Sequence, residues 1–136
     1  MPFVNVYYRE HQLNNKELKK VSNRIHQSLI QHFYIPKDDY FQLFLPYPPQ
    51  HFFYDSQYLL ENEEKRTDNM IYIFITCGEG RTIEQKKKLY HSIAEGLHTD
   101  LDLSTNNIFI TLNETPLENW SFGQGLAQMV NQKEEK

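Results

Sequence analysis

The chain repeats itself at a constant offset of 68 residues. At that offset Asn14 falls on Thr82, Glu17 on Gln85, and Val21, Ile25 and Leu29 on Leu89, Ile93 and Leu97. Phe41 falls on Phe109, and Pro2 on Met70. Cap, helical stripe and closing strand keep register without a gap, which chance matches would not do together. Each half reads as strand, helix, strand. Residues 3–8 are rich in valine and aromatics and read as a strand. Asn14-Asn15-Lys16-Glu17 is an N-cap with an acidic residue three positions on, and Leu18, Val21, Ile25 and Leu29 follow at helical spacing in a helix that should end before Pro36. Tyr40–Leu45 reads as a second strand stopped by Pro46. In the other half Met70–Cys77 is the strongest strand, Thr82–Gln85 a capping box and Asn107–Leu112 the closing strand. The pattern predicts one α+β domain over residues 1–136, built from two tandem βαβ units at 2–45 and 70–113.

Right-handed crossovers put both helices of such a pair on one face of a four-stranded sheet. The other face is then bare. Yet Ile71, Tyr72, Ile73, Phe74 and Ile75 are apolar on both sides of the pleat, which predicts burial on both faces and a partner subunit as the cover. Between the units, residues 46–69 contain Pro46, Pro48 and Pro49, a candidate short strand at His51–Tyr54, and a charged run at Glu61–Asp68 expected to be solvated. In the region 114–131, Gly123 and Gly125 beside Trp120 and Phe122 suggest a tight hairpin carrying aromatics, and the polar tail 132–136 should fray.

Composition narrows the functional classes. A chain of 136 residues with 39% apolar residues supports one core. No apolar run is long enough to span a membrane, and the N-terminus lacks a signal peptide's layout. The single cysteine, Cys77, excludes an internal disulfide and suits a reducing, cytoplasmic setting. A net charge of −4 argues against broad nucleic-acid binding, and Lys86-Lys87-Lys88 reads as a solvated helix face. The six histidines show no metal-binding spacing, and Gly78-x-Gly80 is too short for a nucleotide loop, so no metal and no cofactor are expected.

The candidate chemistry starts at Pro2. Methionine aminopeptidase removes Met1 readily when a small residue follows, leaving a secondary amine at the head of an apolar strand. An α-amino group titrates near ~7.7–8.0 when exposed, and burial lowers this by disfavouring the charged form. A buried N-terminal proline is therefore a candidate base, or a nucleophile toward carbonyls. Arg81, in Gly78-Glu79-Gly80-Arg81-Thr82 before the second helix, suits a carboxylate held by a bidentate fork; the alternative is a solvated turn arginine. Asp39, in a turn before the second strand, is either a reacting carboxylate or a turn cap. Trp120 and Phe122 suit a pocket wall, or plain core.

Taken together, the repeat, Pro2, Arg81-Thr82-Ile83-Glu84-Gln85-Lys86 and Asn119-Trp120-Ser121-Phe122-Gly123-Gln124-Gly125 resemble the tautomerase superfamily. Within it the chain is most similar to the malonate semialdehyde decarboxylase-like homotrimers. The resemblance covers nearly the whole chain and is weakest over 46–69. It implies a homotrimer in which Pro2 is the catalytic base or, in a decarboxylase, a charged acid. It implies that Arg81 binds a substrate carboxylate, that Asp39 assists decarboxylation, and that Trp120 and Phe122 line the apolar wall. Glu79 departs from the decarboxylase pattern, where an arginine stands, and weakens anion binding. The expected activity is keto–enol tautomerisation of 2-oxo acids such as phenylpyruvate or 2-hydroxymuconate, with Tyr7 added to the wall. The alternatives are decarboxylation of a malonate semialdehyde-type substrate through Pro2 and Asp39, and a catalytically silent trimer that binds a small ligand.

Overall fold

Two capping boxes start the two long helices. In the computed structural model, which describes residues 1–130, the Asn14 side chain accepts from the Glu17 N–H at 2.8 Å while Glu17 accepts from the Asn14 N–H at 3.0 Å. Thr82 and Gln85 exchange the same pair at 3.1 and 3.0 Å. Each box satisfies two of the amides a helix start leaves without partners. The helices they begin, α1 (Asn15–Phe33) and α2 (Ile83–Leu101), are each 19 residues long. Both end on a left-handed residue, Tyr34 at φ 56° and Asp102 at φ 55°. Start, length and stop thus all keep the offset of 68.

The strands are β1 (Phe3–Arg9), β2 (Gln42–Tyr47), β3 (Ile71–Gly78) and β4 (Ile108–Thr115). They form one sheet in the order β2-β1-β3-β4. Each βαβ unit makes a parallel pair, β1 with β2 and β3 with β4, and the units join through an antiparallel β1–β3 ladder that pairs Val6 with Ile73. The sheet's helix-side face is Val4, Val6, Ile71, Ile73, Ile75 and Cys77, and it packs on Val21, Ile25 and Leu29 of α1 and Leu89, Ile93 and Leu97 of α2. All these side chains are buried. Each contributes about 1.5–3 kcal/mol if it is a fully buried aliphatic of this size. Across the helix pair Arg24 forms a bidentate ion pair with Asp100 at 2.8 and 2.9 Å. Its stem lies over Gly96, where a built Cβ would meet Arg24 Cδ at 2.1 Å, so a larger residue there would displace the arginine.

The alternation along β3 is sharper than its composition suggests. Ile71, Ile73 and Ile75 are buried while Tyr72, Phe74 and Thr76 are only half-buried. The face away from the helices carries stacked Tyr7 and Tyr72 rings, 5.6 Å apart, and the exposed side chains of Phe3, Leu43 and Phe109. The expectation that β3 is buried on both faces is therefore met on one face within a single chain.

Three details depart from expectation. Strand β2 begins at Gln42 and runs through Pro46 to Tyr47, rather than spanning 40–45. A proline is tolerated because β2 is an edge strand, with one side of its backbone unpaired. His51–Tyr54 forms no strand: a 3-10 turn at Pro49–His51 precedes irregular chain. The region 114–131 is not a hairpin among the described residues, and residue 131 lies outside them. After β4 comes a 3-10 turn at Leu117–Asn119, then a loop with positive φ at Gly123, Gln124 and Gly125. Among the described residues no second strand follows to pair with β4. The tail 132–136 also lies outside the described residues. No described helix is long and apolar enough to cross a membrane.

Candidate active site

The head of β1, the α1–β2 turn, the start of α2 and the loop after β4 meet at one end of the sheet. Pro2 is buried there. It lines a cleft of about 190 Å³ with Phe3, Phe41, Trp120, Ser121 and Phe122. Trp120 and Phe122 stack at 5.6 Å with an interplanar angle of 16°, and Phe41 meets Phe122 at 5.8 Å. A larger hollow of about 430 Å³ adjoins it, lined in part by Met1, Asp39, Phe41 and Phe122.

Asp39 closes onto the chain's first nitrogen. The Met1 ammonium lies 2.8 Å from Asp39 Oδ2, with the two side chains 9% and 14% exposed. The other carboxylate oxygen, Oδ1, is buried without a hydrogen-bond partner. Its position is set from helix α1. His26 Nε2 bonds the Lys37 carbonyl at 2.7 Å, the Ser22 hydroxyl bonds the Tyr40 hydroxyl, and the His26 and Tyr40 rings lie 4.4 Å apart. Both flanks of Asp39 are thereby tied to α1.

Arg81 reaches the same place from the other unit. Its Nη1 donates to the Gly78 carbonyl at 3.1 Å, its Nη2 to the Phe33 carbonyl at 3.3 Å, and its Cζ lies 5.0 Å from the centre of the Phe33 ring. Phe33 is the last residue of α1, so the arginine stands at the negative end of that helix, a favourable place for a cation. These contacts use two of the five donors of the guanidinium. Gly78 connects Arg81 to Met1: a built Cβ there would lie 2.7 Å from Met1 Cε and 3.7 Å from Arg81 Nη1. The methionine side chain fills the space in front of that glycine.

The structure thus brings Pro2, Asp39, Arg81, Trp120 and Phe122 to one end of the sheet. Tyr7 is not among them. It lies five residues further along β1, about 16 Å at ~3.3 Å per residue, stacked on Tyr72 across the open face. Glu79 is exposed. Lys86 is not a solvated charge but an ion-pair partner of Glu114 at 2.7 Å, which raises its pKa chiefly through that hydrogen bond. Cys77 is buried, and desolvation pushes its thiol pKa up, keeping it protonated at neutral pH. Among the described residues no group of three His, Cys, Asp or Glu side chains stands ready to hold a metal ion. Sequence reasoning missed Phe33, Phe41 and Thr115. Phe41 alone left a signal, as the repeat partner of Phe109; Phe33 enters through its contact with Arg81 across the units, and Thr115 through its hydrogen bond with Trp120.

Two βαβ units joined by a central antiparallel ladder, with a buried proline at the head of β1, define a tautomerase-type domain. The family profile described as "Tautomerase enzyme" matches residues 39–123. Probable tautomerase YusQ of Bacillus subtilis (strain 168) is 45% identical over 130 residues, which cover 96% of this chain and 99% of that protein. The chain belongs to the tautomerase superfamily. In fold it matches a malonate semialdehyde decarboxylase inhibited by 3-bromopropiolate with a TM-score of 0.86, at 24% identity over 96% of each chain. It also matches a fused 4-OT wild-type asymmetric trimer, with a TM-score of 0.72 at 15% identity over 95% of this chain and 98% of that one.

Proposed function

We propose that this protein interconverts the keto and enol forms of 2-oxo acids, with Pro2 as general base once Met1 has been removed. The observation that carries this is the surroundings of the first residue. Met1 lies between Asp39 and the Gly78–Arg81 corner, above a proline buried against aromatic side chains. Loss of Met1 leaves the proline nitrogen at the head of the cleft and the space of the methionine side chain to a substrate. Three donors of Arg81 remain for a carboxylate, held as a fork. The neutral amine takes a proton from the carbon α to the carbonyl. The electron pair moves onto the carbonyl oxygen, where Arg81 or a backbone N–H stabilises the enolate, and the proton is returned to that oxygen. Phe41, Trp120 and Phe122 favour an aryl or alkenyl side chain, as in phenylpyruvate or 2-hydroxymuconate, and lower the basicity of Pro2 by excluding water. The active form is a cytoplasmic homotrimer. The exposed apolar face of the sheet and the trimer of the fused 4-OT support this assembly.

Asp39 favours a second reading. Its carboxylate reaches within 2.8 Å of the chain's first nitrogen. A protonated Pro2 would polarise a substrate carbonyl while Asp39 assists loss of carbon dioxide from a β-oxo acid such as malonate semialdehyde. The likeness to the decarboxylase fold agrees with this.

The test is a pH–rate profile for ketonisation of phenylpyruvate enol, after mass spectrometry establishes that Met1 is absent. The tautomerase reading expects Pro2→Ala to lower the rate by about 10²–10⁴-fold and Arg81→Ala to raise KM. Full activity in Pro2→Ala rules it out. No activity above buffer, followed by turnover of malonate semialdehyde that Asp39→Asn abolishes, establishes the decarboxylase instead.

A further inference from the structure

Thr115 is the last residue of β4 and the ladder partner of Gly78. Its hydroxyl oxygen accepts the indole N–H of Trp120 at 2.7 Å, and the hydroxyl donates to the Cys77 carbonyl at 3.4 Å. A threonine hydroxyl has one hydrogen to give and lone pairs to receive, so both contacts are met at once. The next carbonyl along β3, that of Gly78, accepts Arg81 Nη1 at 3.1 Å. The aromatic wall and the arginine are therefore anchored to successive carbonyls at the end of one strand. Trp120 lies in irregular chain after a 3-10 turn, with its own N–H bonded back to the Leu117 carbonyl at 3.3 Å. No sheet ladder holds it. The Phe122 ring stacks on it, 5.6 Å away.

We propose that Thr115 is a positioning residue, setting the indole of Trp120 and hence which apolar substituent the cleft accepts beside Arg81. This rests on the tautomerase reading and adds a specificity determinant to it. Thr115 touches no substrate. It fixes the distance between the wall that receives the aryl or alkenyl group and the arginine that receives the carboxylate.

Thr115→Val keeps the branched shape that suits a strand and removes the acceptor; Thr115→Ser keeps the hydroxyl. Trp120 is the only tryptophan of the chain, so intrinsic fluorescence reads its surroundings without any substrate. In Thr115→Val the emission should shift and acrylamide quenching should rise. KM for phenylpyruvate should rise about tenfold, the equivalent of one hydrogen bond, with kcat changed far less. Thr115→Ser should restore all three. Emission and quenching unchanged in Thr115→Val would overturn the anchoring. An emission change with KM unchanged would overturn its role in the site. A fall in kcat and thermal midpoint shared by Thr115→Ser would reduce Thr115 to a strand-end residue. A wild-type protein that turns over no 2-oxo acid would remove the tautomerase reading, and the fluorescence comparison would still decide whether Thr115 holds Trp120.

Discussion

Asp39 is the residue on which the chemistry divides. Its carboxylate lies against the chain's first nitrogen with one oxygen unpartnered. Under the tautomerase reading, Asp39→Asn should leave ketonisation of phenylpyruvate enol measurable. Loss of all activity at every pH would indicate that the carboxylate itself takes part. Asp39 and Arg81 were legible as candidates because turn chemistry and a helix start mark them in the sequence. Phe33, which holds Arg81 from below, was not. Its contact depends on the end of α1 meeting the start of α2, a relation that no local pattern records. Within one chain, strand direction carries Tyr7 away from Pro2 along the open face, where it stacks on Tyr72.

Among the elements, the helices were the most legible. Both capping boxes, both apolar stripes and the stop before Pro36 follow from the spacing of residues, and the structure has them at the expected places. Ile93 lies fully buried in the centre of α2, and Ile93→Ala should cost about 2–5 kcal/mol in chemical denaturation, by lost transfer energy and the cavity left behind. Thr82→Ala, which removes a cap and no packing, should cost about 1 kcal/mol. The Arg24–Asp100 pair gives the helix layer a pH dependence. Hydrogen bonds from Arg24 depress the carboxyl of Asp100 below its ordinary range. A depressed carboxylate stabilises the fold fully above the ordinary range, and that stability is lost as pH falls through the folded value. Arg24→Ala should therefore narrow the stability difference between neutral and strongly acidic pH, read as thermal midpoints across that interval. The edges of β2 were less legible. Pro46 reads as a stop locally, and only its place at the margin of the sheet makes it acceptable within a strand.

At the scale of the whole molecule, the repeat and the four-stranded architecture were readable because two copies of one pattern reinforce each other. The connection between them was not, since it has no copy. It is held by particular contacts, such as the pair between Thr67 and Asn107 at 2.8 and 2.9 Å and the Tyr54 bond to Asp68 at 2.7 Å. The open face with Phe3, Leu43 and Phe109 predicts association, and the mass in solution at micromolar concentration should be about three times that of one chain. A monomer would count against the proposed assembly. The two units, alike in caps and helix length, are unlike at one point. Where the first begins with Pro2, the second has Met70, fully buried and joined to the chain on both sides. Its nitrogen is an amide and has no basic lone pair to offer. The symmetry of the fold is therefore not a symmetry of reactive groups, and once Met1 is removed a reagent that alkylates the proline amine should saturate at one equivalent per polypeptide and never two.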